Sequence, residues 1–264
     1  MSNSVLLIGC GRMGGALLKG WRESGVVDRA LVVDPALPAL PGVTVVASLD
    51  EIPDPLPQTI LLAVKPQMLD AVLPELKARL PKGALVISIA AGKTLSYFAD
   101  RLGIEVAVVR TMPNTPAAIG RGITVCCAGA KVDTAQRTTT DALLSAVGQV
   151  AWTADETLMH AVTAVSGSGP AYVFLLIEAL QAAAEAAGLP ADLAARLARE
   201  TVTGSGELAR QSTDTPAKLR ADVTSPGGTT AAALAVLMGD GGLPDLMKRA
   251  VAAATARSEE LGKG

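Results

Sequence analysis

A glycine-rich run near the start of the chain constrains its fold more than any other feature. Val5-Leu6-Leu7-Ile8 is a short, continuous apolar stretch, as expected for a strand that is buried on both faces. Gly9-Cys10-Gly11-Arg12-Met13-Gly14 follows at once, then a helical pattern over 15–21 and a strand over 30–33 that ends in Asp34. This succession of strand, G-x-G-x-x-G turn, helix, strand and acid predicts a Rossmann-type unit that binds a dinucleotide.

The spacing has a physical basis. Small residues let the backbone approach a pyrophosphate at the helix N-terminus, and an acid 20 residues after Gly14 can reach the adenosine ribose. The alternative is a tight turn whose glycines serve only helix–strand packing. The Asp34 carboxylate would repel a 2′-phosphate, and Arg12 is the only cation nearby in sequence, so the chain is expected to tolerate NADH, with NADPH also open.

The N-terminal half alternates strand-like and helical segments, which predicts an α/β class with a parallel sheet and a dinucleotide-binding domain over residues 1–154. Ligands of such sheets bind outside the carboxyl ends of the strands. The segments expected there are Ala63-Val64-Lys65-Pro66, Ile89-Ala90-Ala91-Gly92 and Met112-Pro113-Asn114-Thr115-Pro116. Lys65 is either a phosphate contact or a solvated loop residue.

The C-terminal half, residues 155–264, is expected to be an all-α domain. Four helices are predicted, with an additional turn after Pro216. They cover 170–187, 191–210, a segment after Pro226, and 244–261. They are rich in alanine, so one layer of them buries little apolar volume. An obligate homodimer is therefore expected.

Composition excludes several classes of protein. The net charge is −2 and only 2% of residues are aromatic, which disfavours a nucleic-acid partner. No uncharged apolar run reaches the ~20 residues of a membrane span, and no signal peptide is recognised, so neither a membrane partner nor secretion is expected. Cys126 and Cys127 are adjacent and should point to opposite faces of a strand. No metal-ligand spacing is found, and a reducing cytoplasm is expected.

A polar turn late in the chain is the second candidate site. It runs from Asp222 to Thr230 as Asp-Val-Thr-Ser-Pro-Gly-Gly-Thr-Thr, and an apolar helical run follows. Such a turn is usually an ordinary helix cap, but a helix N-terminus also suits an anion such as a substrate carboxylate. The single histidine, His160, lies in an apolar context typical of a packed or capping residue.

Several of these segments occur together and in order, and the chain resembles the pyrroline-5-carboxylate reductase family over its whole length. The resemblance rests on 8–14, 63–66, 112–116, Ala164-Val165-Ser166-Gly167-Ser168-Gly169-Pro170-Ala171-Tyr172, and 222–230. It implies a Rossmann domain followed by a helical domain that interlocks with a partner subunit, and dimers that can assemble further. It also implies NADPH or NADH as cofactor and reduction of 1-pyrroline-5-carboxylate to L-proline, the last step of proline biosynthesis.

The resemblance also implies roles for particular residues. The backbone of Gly228, Thr229 and Thr230 would bind the substrate carboxylate, and the Thr230 hydroxyl would bond the ring nitrogen as a candidate proton donor. Asp222, Val223 and Ser225 would complete the substrate site. Asp222 stands where family members often have Asn, and His160 where they commonly have Asp. Asp34 departs from the Ser- or Arg-bearing segment of NADPH-preferring members.

Two other functions remain open on the sequence. A hydroxyacid dehydrogenase with the same two-domain plan would need a proton-transferring group, usually a lysine on the long helix over 171–187, and none is present there. A nucleotide-binding scaffold or redox sensor without turnover would need no such group.

Overall fold

The computed structural model describes residues 4–262 of the chain. They form two compact units, one of residues 4–167 with residues 254–262 and one of residues 168–253. The first unit extends beyond the predicted domain boundary at residue 154. Met159 and Ala164, which are 1% and 0% exposed, explain this extension because they are buried within that unit.

The first unit is built on an eight-stranded sheet. Its strands are β1 Ser4–Ile8, β2 Arg29–Val33, β3 Thr44–Val46, β4 Thr59–Leu62, β5 Leu85–Ser88, β6 Ala107–Met112, β7 Gly122–Ala128 and β8 Gly148–Thr153. They lie in the order β3-β2-β1-β4-β5-β6-β7-β8. The first six follow the 3-2-1-4-5-6 order of a Rossmann fold, which confirms the predicted fold class.

The expected parallel sheet contains one antiparallel strand. β7 runs antiparallel to β6, whereas the other neighbouring pairs are parallel. The connection from Met112 to Gly122 is short and holds a single helical turn, Thr115–Ile119. A parallel return needs a crossover of about a dozen residues or more, so this connection enforces the reversal.

Helices cover both faces of the sheet. They are α1 Arg12–Ser24, α2 Leu69–Arg79, α3 Leu95–Leu102 and α4 Thr134–Ser145. Leu6 and Ile8 pack with one buried cluster, and Val5 and Leu7 pack with the other. Each fully buried side chain of this size contributes roughly 1.5–3 kcal/mol. The continuous apolar strands therefore hold the loops at their carboxyl ends on a rigid platform.

The sequence analysis missed β8 and α4. Its prediction that Cys126 and Cys127 point to opposite faces of a strand is confirmed. β8 is an edge strand with no fully buried residue, and α4 carries three consecutive threonines, so neither has a strong apolar pattern. Cys126 packs in one buried cluster and Cys127 in another, as alternation along a strand requires.

After β8 come a short helix, α5 Met159–Val162, and a π-helical turn, Thr163–Gly167. The remaining helices are α6 Gly169–Ala186, α7 Ala191–Gln211, α8 Pro216–Asp222, α9 Thr229–Leu237 and α10 Leu243–Gly262. These bounds confirm the predicted helices. Gly188, which follows the end of α6, has a φ of +96°, a left-handed conformation that suits glycine at a helix end.

The second unit leaves its apolar side chains largely uncovered. Only Ala194 and Ala198 are buried within residues 168–253, while Phe174 and Leu175 of α6 are 58% and 62% exposed. Residues Glu156–Ala186 meet the length and hydropathy of a membrane span, with a mean hydropathy of 1.3, and the apolar window is only 6% buried. Exposure on this scale marks a surface that another molecule covers.

Candidate active site

The glycine-rich turn is shaped by close backbone contacts. Gly9 has a φ of +89°, and a Cβ there would lie 2.8 Å from the backbone nitrogen of Val64. A Cβ on Gly14 would collide with the carbonyl oxygen of Gly9. Gly11, in contrast, has no atom within 4 Å of its Cβ position. The turn is therefore tightly packed at Gly9 and Gly14 and open at Gly11, which leaves room for a ligand to approach the backbone there.

The N-terminus of α1 fits an anion. Its N-cap residue is Gly11, which has no side chain to bond the free N–H groups, and the first turn contains no acidic residue. Free N–H groups and the positive end of the helix dipole attract phosphate. Arg12 is exposed at this end and adds a positive charge. The residues present fit the pyrophosphate of a dinucleotide.

Asp34 is held rigidly at the end of β2. Its Oδ2 accepts the backbone N–H of Cys10 over 2.6 Å, and its Oδ1 accepts that of Ala36 over 2.9 Å. Two backbone donors fix the carboxylate beside the glycine-rich turn. A ribose with free hydroxyls can donate to such a carboxylate, whereas a 2′-phosphate would be repelled.

A cavity of about 530 Å³ opens at the carboxyl ends of β1, β2 and β4. Seven predicted cofactor residues line it, namely Ile8, Gly9, Gly11, Asp34, Ala63, Val64 and Lys65. Its volume lies in the range of small-molecule sites. Among the described residues that line it, Lys65 is the only cation, and Asp34 and Glu75 are both acids.

The structure does not bring the other predicted cofactor residues to this cavity. Cys10 lines a neighbouring groove with Lys19 and Arg22, and Met13 packs against the core. Asn114 uses its Oδ1 to accept the backbone N–H of Ile123 over 2.9 Å. Also outside the lining are Arg12, Gly14, Pro66, Ala90 and Ala91. Their contact with the cofactor stays a prediction.

Sequence reasoning missed the part of the cavity that β3 supplies. Ala47, Ser48 and Leu49 follow β3 and line the cavity beside Asp34. The backbone N–H of Asp34 donates to the carbonyl of Val46 over 3.0 Å, which ties the two strand ends together. The signal was available, because β3 ends at the same edge of the sheet as β2.

The second candidate site, the turn at 222–230, lies in the second unit. The backbone N–H of Gly228 donates to the carbonyl of Ser225 over 3.1 Å, and Gly227 has a φ of +69°. Proline at the second position and a positive φ at the third match a type II turn. A Cβ on Gly228 would lie 2.5 Å from Ser225 Oγ, so a side chain there would require the Ser225 hydroxyl to rotate away.

This turn leads directly into α9, whose N-cap Gly228 again has no side-chain bond and whose first turn has no acid. Thr229 is exposed and Thr230 is half-buried at this end. Asp222, at the end of α8, pairs with Lys218 over 2.6 Å and is exposed, as is Val223. The geometry suits an anion at the start of α9, as at α1.

Burial disfavours the thiolate form of the three cysteines. Burial, and then the charge of Asp34, raises the pKa of the Cys10 thiol above its ordinary value. Burial likewise raises the pKa of Cys126 and Cys127. Protonated thiols react slowly, which argues against a cysteine-based redox sensor. Within residues 4–262, no group of three or more His, Cys, Asp or Glu side chains could hold a metal ion.

Comparison with known proteins assigns both regions. Residues 156–261 match the family model "Pyrroline-5-carboxylate reductase dimerisation", and residues 4–92 match "NADP oxidoreductase coenzyme F420-dependent". The pyrroline-5-carboxylate reductase of Pisum sativum is 39% identical over 99% of this chain and 97% of its own length. The chain belongs to the pyrroline-5-carboxylate reductase family.

Solved structures of the family agree. The pyrroline-5-carboxylate reductase of Coxiella burnetii is 36% identical, with a TM-score of 0.92 over 100% of this chain and 99% of that one. The Plasmodium falciparum pyrroline carboxylate reductase, solved with NADP bound, is 29% identical, with a TM-score of 0.85 over 99% and 100%. The chain is thus an NAD(P)H-dependent oxidoreductase of this family that acts on a small molecule and forms a homo-oligomer.

Proposed function

We propose that this chain reduces 1-pyrroline-5-carboxylate to L-proline, with its carboxylate bound at the start of α9 and its cofactor in the cavity beside Asp34. The observation that carries the proposal is that both candidate sites lie at a helix start with a glycine N-cap and no acid in the first turn, at Gly11 and Gly228. One suits a pyrophosphate and the other a carboxylate.

The reaction requires little acid–base machinery. A bound nicotinamide supplies a hydride to the imine carbon. The imine nitrogen already carries a proton and a positive charge, so C=N⁺–H becomes C–N–H once the hydride has added. In our proposal the backbone N–H groups of Gly228, Thr229 and Thr230 hold the substrate carboxylate. The Thr230 hydroxyl bonds the ring nitrogen and is the candidate donor of the second proton to the amine product, and it regains that proton from solvent.

The neighbouring residues shape the substrate site. Ser225 and Gly228 close the turn through the hydrogen bond from the Gly228 N–H to the Ser225 carbonyl, and Val223 offers an exposed apolar side chain to the ring. Asp222 is paired with Lys218, which keeps its negative charge from competing with the substrate carboxylate. We propose that Asp222 acts through the orientation of this turn, and that Ser225 contacts the carboxylate.

We further propose that NADH is the better cofactor. Both oxygens of Asp34 are engaged by backbone N–H groups, so the carboxylate cannot easily move aside for a 2′-phosphate. In the described part of the chain, Lys65 is the one cation that lines the cavity, and the two negative charges of Asp34 and Glu75 outweigh it. A 2′-phosphate needs a cation that is free of such neighbours.

The exposed apolar face of the second unit is best explained by a second copy of the chain. α6 carries Glu178 and Glu185, which are costly inside a bilayer and harmless at the rim of a protein interface. We propose an obligate homodimer, able to assemble into larger oligomers, in the cytoplasm, with neither membrane nor nucleic acid as partner.

The test is an assay of NADH and NADPH oxidation with 1-pyrroline-5-carboxylate, beside a panel of 2-keto acids. We expect turnover with the imine and none above background with the keto acids. Oxidation with a keto acid instead would indicate a hydroxyacid dehydrogenase. Cofactor binding without any turnover would indicate a nucleotide-binding scaffold.

A further inference from the structure

The loop that follows β5, residues Ala90–Gly92, is pinned from several sides. On the sheet side, Ser88 Oγ accepts the backbone N–H of Ala90 over 3.2 Å. The Thr111 hydroxyl donates to the carbonyl of Ser88 over 3.0 Å. Ala90 is 4% exposed and Gly92 is buried, whereas Ala91 between them is exposed. The loop thus offers one exposed residue on a fixed base at the carboxyl edge of the sheet.

The last turn of α10 closes the other side of this loop. A Cβ on Gly92 would lie 3.3 Å from the carbonyl oxygen of Leu261, and a Cβ on Gly262 would lie 3.3 Å from the carbonyl oxygen of Gly92. Gly92 also has a φ of +78°, which a side chain would strain. Glycine at both positions lets the helix end lie directly against the loop.

A side-chain hydrogen bond holds this helix end in place. His160 Nδ1 and Ser258 Oγ are 3.0 Å apart, and Ser258 is 6% exposed. A Cβ on Gly262 would lie 3.2 Å from His160 Cε1, so the ring also packs against the final turn. The bond joins residues that are 98 positions apart in sequence.

The segment that carries His160 also fixes the start of α3, just after the loop. Glu156 Oε1 accepts the backbone N–H of Leu95 over 2.7 Å. The same oxygen accepts from Arg110 over 2.8 Å, and Arg110 is 3% exposed. Residues 156–160 therefore brace the chain on both sides of Ala90–Gly92, through Glu156 after the loop and through His160 and α10 beside it.

We propose that His160 and Ser258 are positioning residues for the cofactor, because they hold the end of α10 against the Ala90–Gly92 loop and keep that loop ordered. The inference rests on the proposed function and on the contact with the cofactor that the sequence predicts for Ala90 and Ala91 at the carboxyl edge of the sheet. A loop that is ordered beforehand loses less conformational freedom when the ligand binds. Loss of the hydrogen bond therefore weakens cofactor binding and leaves the chemical step intact.

The test compares Ser258→Ala with Ser258→Thr, which keeps the hydroxyl, and with Thr255→Ala, which removes a hydroxyl one turn earlier. The dissociation constant of NADH is measured by fluorescence titration, and KM and kcat are measured separately. For Ser258→Ala we expect the dissociation constant and the cofactor KM to rise about fivefold, within the usual range of coupling between sites. The turnover at saturating cofactor and the KM for the imine should not change, and Ser258→Thr and Thr255→Ala should behave as wild type.

A mutant cycle keeps the proposal falsifiable if one variant folds poorly. His160→Ala should reproduce the Ser258→Ala effect, and the double variant should bind NADH no more weakly than either single one, since both remove the same bond. Wild-type affinity in both single variants would overturn the proposal, and so would equal losses in every kinetic constant. Failure of the wild type to reduce the imine would refute the proposed function alone. The NADH dissociation constant would still report whether the Ala90–Gly92 loop affects cofactor binding.

Discussion

The two units of this chain solve the problem of burying apolar surface in different ways. In the first, Leu61, Leu7 and Trp21 are fully buried between the sheet and its own helices. In the second, the largest buried side chains are alanines, and Phe174 and Val236 are 58% and 78% exposed. The first unit completes its core from its own residues. The second leaves exposed an apolar surface of the kind found inside a core. Its match to a family dimerisation region indicates that a second subunit covers this surface.

The candidate sites follow the same division. The cavity beside Asp34 is preformed, because strands and helices of one unit surround it. The start of α9 is an exposed helix end with hydroxyls beside it. A preformed cavity binds its ligand with little rearrangement. An exposed helix N-terminus attracts an anion more strongly once water is excluded from it. Substrate binding should therefore depend on assembly more than cofactor binding does.

The largest expected effect comes from a charge placed in the uncovered face. Phe174→Glu should convert the oligomer to monomer and abolish measurable turnover, since an unpaired carboxylate buried at an interface costs several kcal/mol. Sedimentation velocity and the imine assay check both. Ile104→Glu places the same charge on a residue of the first unit that is 73% exposed, and it should change neither. An intact oligomer in Phe174→Glu would remove α6 from the interface.

A cavity in the first unit should destabilise that unit whatever the assembly. Leu61→Ala removes a fully buried side chain from the central sheet and should lower the free energy of unfolding by about 2–5 kcal/mol. Urea titration at two protein concentrations measures it. Leu175→Ala, at an exposed position of α6, should weaken stability in a concentration-dependent way. Identical behaviour of the two variants would contradict the contrast between the units.

Removal of the Thr230 hydroxyl should affect the substrate site alone. We expect Thr230→Ala to lower kcat by about 10²-fold, a usual loss for one positioned donor, with the NADH dissociation constant unchanged. Thr230→Ser keeps a hydroxyl and should retain most of the turnover. Thr213→Ala, an exposed threonine of the same unit, is the control. Full turnover in Thr230→Ala would remove Thr230 from the mechanism.

The smallest expected effect concerns cofactor choice in the first unit. Asp34→Ser removes the negative charge beside the ribose and should raise the ratio of kcat/KM for NADPH to that for NADH about tenfold, or ~1.4 kcal/mol. Steady-state kinetics with both cofactors give the ratio. Asp100→Ser removes an exposed acid on α3 and should leave it unaltered. An unchanged ratio in Asp34→Ser would indicate that Arg12 or Lys65, and not Asp34, controls the preference between NADH and NADPH.

Much of the architecture was predictable from the chain alone. Continuous apolar runs such as Val5–Ile8 predicted buried strands, and Pro170, Gly188 and Pro190 predicted where α6 begins and ends. The antiparallel β7 was missed because strand direction depends on the path of a connection. β8 and α4 were missed because weakly patterned segments gain their structure from the neighbours they pack on.

The site divides in the same manner. The sequence by itself determined the chemistry that is available, because glycines, an acid at the right spacing and a hydroxyl-rich helix start are local properties of the chain. Only the tertiary structure showed that Asp34 is locked by Cys10 and Ala36, that the β3 loop walls the cavity, and that His160 meets Ser258 at the loop after β5. Apart from the local bond between Asp34 and Ala36, these contacts join residues far apart in sequence, and they exist only once packing has brought those residues together.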